Sequence, residues 1–392
     1  MKVFEKACSI QDTIRAWRRH MHENPELGMG TEGTASFIEK TLAEMGITNI
    51  RRCGKTGVVA LVEGAGPGDC VGLRADIDAL PVLERNDLPY RSKVDGVAHV
   101  CGHDVHAACL LGTAKLLHDM RDTFSGSVKL IFQPGEELAA GAAAMIADGV
   151  LEDPKMKSIY AFHTWPEIPA GTLGLRRGPV MASAQMIKIR IKGSQGHAAH
   201  PHRCVDSVLI TGHVICALQS VISREIAPME TGVLSIGKIQ GGTAGNILPE
   251  EVILEGTIRA FTKETTGQII EAARRIASGT AEMLRGSAEL EIVSALPPVY
   301  NEESVSTKIR DTLERTFGND KLIDLPAPSM GGEDFSLFLE HVPGGHFRVG
   351  IGLKDGPNPP LHSPDFMVDE TCLPYGAAAM AALALGDLGT LK

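Results

Sequence analysis

The feature that most constrains this 392-residue chain is a change of rhythm at Gly178-Pro179. Before that point, short apolar runs at 58–62, 71–74, 127–132 and 159–162 read as strands. Helical patterns separate or precede them. Ser9 can cap a first helix carrying Ile10, Ile14, Trp17 and Met21; others are expected at 34–45, at 104–120 with Asp104 as a cap, and at 138–147. Strands alternating with helices imply an α/β fold with a mainly parallel sheet covered on both faces. After Gly178-Pro179 the order becomes strand 186–191, helix 206–223, strands 233–239 and 252–259, helix 263–284 and strand 288–293. In the first of these, Ile187, Ile189 and Ile191 alternate with Lys188, Arg190 and Lys192, as a half-buried strand requires. This β-α-β-β-α-β order is the ferredoxin-like unit. Beyond Pro297-Pro298 the α/β style returns. The expected organisation is therefore a catalytic domain formed by 1–183 and 295–392, with an α+β domain inserted at 184–294. A chain of this length needs more than one core.

In open parallel sheets, ligands bind beyond the carboxyl ends of the strands. Four connections at that edge carry metal-ligating residue types. RADIDALP delivers Asp76 and Asp78, HVCGHDVHAA carries Cys101, His103, Asp104 and His106, FQPGEE delivers Glu136 and Glu137, and strand 159–162 delivers His163. Each piece alone has an ordinary explanation, such as a turn aspartate or a hydrogen-bonded core histidine. Their convergence supplies sulfur, nitrogen and oxygen donors suited to zinc or manganese. The adjacent glutamates suggest a division of labour. One would ligate while its neighbour handles the proton of a water whose pKa a divalent cation lowers to roughly 7. The alternative is a pair of solvated acids opening a helix. In the inserted segment, GSQGHAAHPHRCVD holds His197, His200 and His202. No acid or thiol set accompanies them, so a substrate-facing role for one is preferred to a second metal site. Asn246 falls in a Gly-rich turn, and Arg259 at a strand end offers a fork for a carboxylate.

Composition narrows the function. The formal charge of -10 argues against broad nucleic-acid binding, which needs a basic face. Eight cysteines without a C-x-x-C are too sparse for a disulfide scaffold or a zinc ribbon. The opening MKVFEKACSIQD contains no apolar core of a secretory leader. The late apolar stretch at 375–385 is far short of the roughly 20 residues that span a bilayer. A reducing, cytoplasmic setting with no membrane partner is the expectation.

Eight motifs in order then resemble a known family: RRHMHENPELG (18–28), RADIDALP (74–81), HVCGHDVHAACLLG (99–112), FQPGEE (132–137), GGTAGNILPE (241–250), GTIRAF (256–261), MGGEDFSLF (330–338) and LHSPDF (361–366). The chain resembles the N-acyl-amino-acid amidohydrolases, a group of metallopeptidases that includes aminoacylase, hippurate hydrolase and indole-3-acetyl-amino-acid hydrolase. The resemblance implies one or two divalent ions (zinc or manganese, with cobalt or nickel as alternatives) on Cys101, His103, Glu137, His163 and His362. It implies Glu136 as general acid/base and Asp76 as an acid behind the ligands that orients an imidazole. It implies His197 facing the scissile carbonyl, in related dimers from the partner subunit, and Asn246 and Arg259 holding the substrate. It also implies a metallopeptidase-type catalytic domain with an inserted lid or dimerisation domain, and a homodimer or higher homo-oligomer. The expected reaction is hydrolysis of N-acyl-L-amino acids, N-acetyl, N-benzoyl or similar. A dipeptidase or carboxypeptidase-like activity is the alternative, and a non-catalytic binding protein the rival of a different class. Residues 203–207, RCVDS, depart from the apolar and proline residues common in the family, which bears on substrate preference or dimer contacts. The H-x-H of His20 and His22 ends a helix rather than a strand, so it is not read as a metal site.

Overall fold

The computed structural model describes residues 2–356 and 358–390. The chain divides into two compact units, one comprising Met1–Gly178, Tyr300–Ala327 and Asp334–Lys392, the other Pro179–Val299 and Pro328–Glu333.

The first unit is built on an eight-stranded sheet. Its centre is four parallel strands in the order Ser127–Gln133, Cys70–Asp76, Met156–Pro169 and Gly344–Gly352. Strands Gly57–Glu63 and Ile50–Cys53 extend one side in antiparallel fashion, and Leu173–Leu175 and Leu322–Asp324 extend the other. Cys70–Asp76 is buried along its whole length, as an interior strand covered on both faces must be. Helices Gln11–Glu23, His103–Asp119 and Leu373–Asp387 cover one face, and the Ala-rich Leu373–Asp387 lets them approach closely. Helices Gly141–Ala147 and Phe335–Leu339 cover the other around Met145, Ile159, Phe335 and Phe338.

Several boundaries differ from the sequence reading. Ser9 does not cap the first helix; its hydroxyl donates to the Lys6 carbonyl at 2.7 Å and closes a separate helix, Lys2–Ser9. The helix expected at 138 begins at Gly141, because residues 136–139 turn with Ala139 at φ +52°. Glu136 and Glu137 therefore stand in a turn and not in a helical first turn. The strand expected to end at 162 runs to Pro169, held by parallel pairing of 159–165 with 344–350.

The second unit is a four-stranded antiparallel sheet in the order Gly232–Gly241, Glu251–Ala260, Ala184–Lys192 and Ser287–Leu296. Helices Ser207–Ser220 and Lys263–Met283 pack on one face. Ile187, Ile189 and Ile191 point into that core and are at most 1% exposed. Full burial of each such side chain stabilises by about 1.5–3 kcal/mol. Asp206 caps the first helix, its carboxylate accepting from the amides of Val208 and Leu209 at 3.0 Å. The unusual RCVDS segment thus has a local structural role.

Candidate metal centre

The carboxyl ends of the central strands bring the expected donors together, and glycine makes the approach possible. Gly102 sits at φ +91°, and a Cβ there would lie 2.2 Å from the Thr164 hydroxyl. Only glycine accepts both constraints, so Cys101 and His103 can turn toward one point from either side of it. The ligand atoms of Cys101, His103 and His163 lie within 4.8 Å of one another, as do those of Cys101, Glu137 and His362 and those of His103, Glu136 and Glu137. Cys101 Sγ is 3.4 Å from His163 Nε2. Glu137 Oε1 is 3.9 Å from His103 Nε2 and 3.4 Å from His362 Nε2.

Hydrogen bonds fix which ring nitrogens face inward. His103 Nδ1 donates to the Asp78 carbonyl at 2.8 Å and His163 Nδ1 to the Thr164 carbonyl at 2.6 Å. Both rings therefore turn Nε2 toward the cluster. His103 Nε2 and Glu137 Oε1 are buried with no hydrogen-bond partner. Buried polar atoms are nearly always satisfied, so a pair of orphans among sulfur, nitrogen and oxygen donors fits a divalent cation.

The electrostatics agree. Burial pushes the Cys101 thiol well up, against the pull of His103. Burial holds His163 well down, helped by His106. Burial also opposes charge on His103, but Asp76, Cys101 and the bond to Asp78 together outweigh it and the imidazole is raised. Glu137 is pushed up by burial and brought net down by His362 and His103. These groups share protons that a cation would displace.

Asp76, at a strand end, does not join the ligand triplets with Cys101. It accepts from His106 Nδ1 at 2.5 Å and from Arg74 at 2.8 Å, with His103 Nε2 3.7 Å away. His106 in turn accepts from the Thr164 amide at 2.9 Å, and with Asp76 and His103 it makes a further buried donor triplet beside those that hold Cys101. His362 sits on an irregular loop at φ +66°, anchored by its amide to the Val100 carbonyl at 2.8 Å.

Two working parts have roles that the sequence reading did not give them. The Asp78 carboxylate accepts the amides of Glu136 at 3.1 Å and Glu137 at 3.3 Å and so holds the turn that carries both glutamates. The sequence offers Asp78 as a candidate donor beside Asp76; here it holds the turn and, among the described residues, joins no donor triplet. Arg74, which the sequence only places at the end of strand 71–74, is fully buried with Gln133 and Asp334 behind the site. His22 has a structural role as well. It bridges Asp104 at 2.8 Å and Glu84 at 3.2 Å, while His20 stacks on Phe37.

His197, Asn246 and Arg259 belong to the second unit. There His197 pairs in register with Ile247, and the Ala198 amide donates to the Asn246 carbonyl at 3.1 Å, so these two candidates are neighbours. Arg259 is half-buried, its pKa lowered by desolvation, and packs against Gly332 of the MGGED segment. Among the described residues, His197, His200 and His202 form no metal-holding group.

Comparison with known proteins gives these arrangements a family. The model of peptidase family M20/M25/M40 matches residues 72–386. N-acetyl-L-cysteine deacetylase of Bacillus subtilis (strain 168) is 40% identical over 93% of this chain and 86% of its own length. An IAA-amino acid hydrolase of Arabidopsis thaliana is 36% identical over 97% of this chain and 87% of its own. The crystal structure of a dinuclear metal-binding M20 peptidase from Bacillus subtilis superposes with a TM-score of 0.85 at 35% identity, covering 97% of this chain and 99% of that one. The chain belongs to peptidase family M20/M25/M40 and is a hydrolase acting on amide bonds.

Proposed function

We propose that this protein hydrolyses the amide bond of N-acyl-L-amino acids, N-acetyl, N-benzoyl or similar, releasing a carboxylic acid and an amino acid. The observation that carries the reading is the pair of orphaned, buried ligand atoms, His103 Nε2 and Glu137 Oε1, inside a cluster with a thiol. Cys101, His103, Glu137, His163 and His362 would hold one or two divalent cations, zinc or manganese, with cobalt or nickel as alternatives. Cys101 is common to two of the donor triplets, which suits two adjoining positions. When bound, the cation polarises the scissile carbonyl and acidifies water.

The chain's own residues do the rest. Glu136 takes the proton of the attacking water and returns it to the leaving nitrogen. Asp78 keeps Glu136 in place through its backbone amide. Asp76 and the Asp78 carbonyl orient His103. His197 stabilises the developing oxyanion, and Asn246 and Arg259 orient the free carboxylate. The inserted segment 184–294 serves as lid and dimerisation domain, separate from the catalytic parts 1–183 and 295–392, and the enzyme works as a homodimer or higher homo-oligomer. All eight cysteines are free, in keeping with a cytoplasmic enzyme.

The test is a hydrolysis panel with zinc, manganese, cobalt and nickel. N-acetyl and N-benzoyl amino acids are expected to be cleaved well ahead of free-amine dipeptides. Preference for the dipeptides would reassign the enzyme to dipeptidase chemistry.

A further inference from the structure

Residues 81–97 form a loop without helix or strand, entered and left at the Leu80–Ala98 bridge. Irregular loops longer than about 12–15 residues inside a compact domain are uncommon and usually serve a function. Much of this one is exposed, yet Glu84 is 2% exposed. A buried carboxylate is costly unless it is paired. Glu84 Oε1 is 3.2 Å from His22 Nε2, and Oε2 accepts from the Ser92 amide at 2.9 Å. The other ring nitrogen, His22 Nδ1, is 2.8 Å from Asp104 Oδ2, and Arg18 Nε is 2.7 Å from the same oxygen. Asp104 follows His103 directly. Glu84 thus fastens the loop to the start of the helix that carries His103.

The next two residues reach the other way. The Arg85 amide donates to the Pro364 carbonyl at 2.9 Å. Its guanidinium forks onto Asp365, with Nε 3.0 Å from Oδ1. Asn86 Nδ2 donates to the Phe366 carbonyl at 2.8 Å. Residues 358–369 are themselves turns and irregular chain, and His362 lies within them. Its side chain is 53% exposed, while Cys101, His103 and His163 are at most 7% exposed. Those three stand on a strand or at a helix start, where regular structure fixes them. His362 depends on the bonds that order its loop: its own amide on the Val100 carbonyl, the burial of Phe366, and the ties from Arg85 and Asn86.

The donor sets make that difference selective. His362 belongs to the set with Cys101 and Glu137, whereas the set of Cys101, His103 and His163 does not include it. Ordering a loose segment when it binds costs conformational entropy, so bonds that order it beforehand raise affinity. Here they would do so for one position and not the other.

We propose that Glu84-Arg85-Asn86 is a strap that positions His362 beside Glu137, and that Arg85 and Asn86 set the affinity of the cation position built on Cys101, Glu137 and His362. This rests on the ligand roles proposed above. Arg85 and Asn86 are positioning residues that act through residues 364–366.

Metal-free wild type, His362→Ala, Asn86→Ala and the double variant Arg85→Ala with Asn86→Ala are titrated with cobalt(II), and bound metal is counted at each free concentration. Arg85 is exposed and Asn86 half-buried, so the variants should fold, which melting curves of the metal-free proteins check. His362→Ala should abolish one class of bound metal. The double variant should weaken that same class by about tenfold or more, the usual loss when a partner that orients a ligand is removed, and leave the tighter class at its wild-type affinity. If the double variant does not fold, Asn86→Ala decides, with a smaller loss confined to the same class. Wild-type affinity for that class in the folded strap variants, or equal losses from both classes, overturns the inference alone. A His362→Ala protein that binds metal as wild type does overturns the ligand reading, and the inference with it.

Discussion

At the residue scale, single positions are over-determined by geometry the sequence only hints at. Gly102→Ala would put a methyl 2.2 Å from Thr164 at a φ that L-residues avoid. A loss of about 1–3 kcal/mol from the backbone alone, with a fall in bound metal, is expected. Thermal melts and metal analysis check it, and a variant with wild-type values would show that the loop can relax. His346 offers a pH signature. Burial holds it at about 3, while the unfolded chain titrates near 6.5. Below that value only the unfolded state takes up the proton, so stability falls as pH falls, by about 1.4 kcal/mol per pH unit until the folded group titrates. Around the ring stand Phe335, Arg348, Arg74, His106 and Asp76, and none of them bonds it. His346→Leu should flatten the slope of denaturant-derived stability between pH 6 and 4 by about that amount. An unchanged slope would mean that the ring is protonated in the fold. The roles of Asp78 and Arg74 show why such positions are hard to read in advance. Each sits where strand alternation or turn chemistry gives a bland explanation, and only their tertiary surroundings separate them from it.

At the element scale, the strand-to-helix connections carry the chemistry, and buried polar pairs hold the connections. The Asp334 carboxylate accepts from Arg74, from Gln133 at 2.8 Å and from the Ala142 amide at 3.0 Å. It ties two central strands to the start of helix Gly141–Ala147, just past the glutamate turn. Arg74→Leu would leave Asp76 and Asp334 buried without their cation, and removal of one partner of such a pair costs about 3–5 kcal/mol. Chemical denaturation is the check, with a cost below about 1 kcal/mol as the contrary result. Element order was legible because hydrophobic periodicity encodes it: the isoleucine alternation at 187–191 and the β-α-β-β-α-β sequence needed no tertiary information. The ends were not. The strand through His163 continues to Pro169 because a distant segment, 344–352, pairs with it, and no local pattern announces a partner almost two hundred positions away.

At the scale of the whole molecule, the donors come from points far apart in the chain, between Asp76 and His362, and the sheet order brings them to one edge. Cys101, His103, Glu136, Glu137 and His163 were legible as residue types following strands. His362 was not, because its loop has no periodicity and its positive φ is imposed by anchoring at Val100; only a family resemblance singled it out. The second unit exposes Val208, Leu209, Ile239 and Met283. Among the described residues, one helical run, Ser207–Glu225, is long and apolar enough to cross a membrane by length and composition, yet it buries Ile210, Val214, Leu218 and Val221 in the core of that unit. A homodimer is expected in sedimentation velocity at micromolar concentration, and a monomer there would count against the proposed dimerisation role. The most direct test of the mechanism joins metal to the proton carrier. Wild type and Glu136→Gln are stripped, reloaded with one divalent metal, analysed for stoichiometry and assayed on an N-acetyl amino acid. The expected result is no turnover without metal, equal metal in both proteins and a loss of about 10²–10⁴-fold in kcat for Glu136→Gln. Near-normal turnover by metal-loaded Glu136→Gln would contradict the role given to this glutamate and the mechanism built on it.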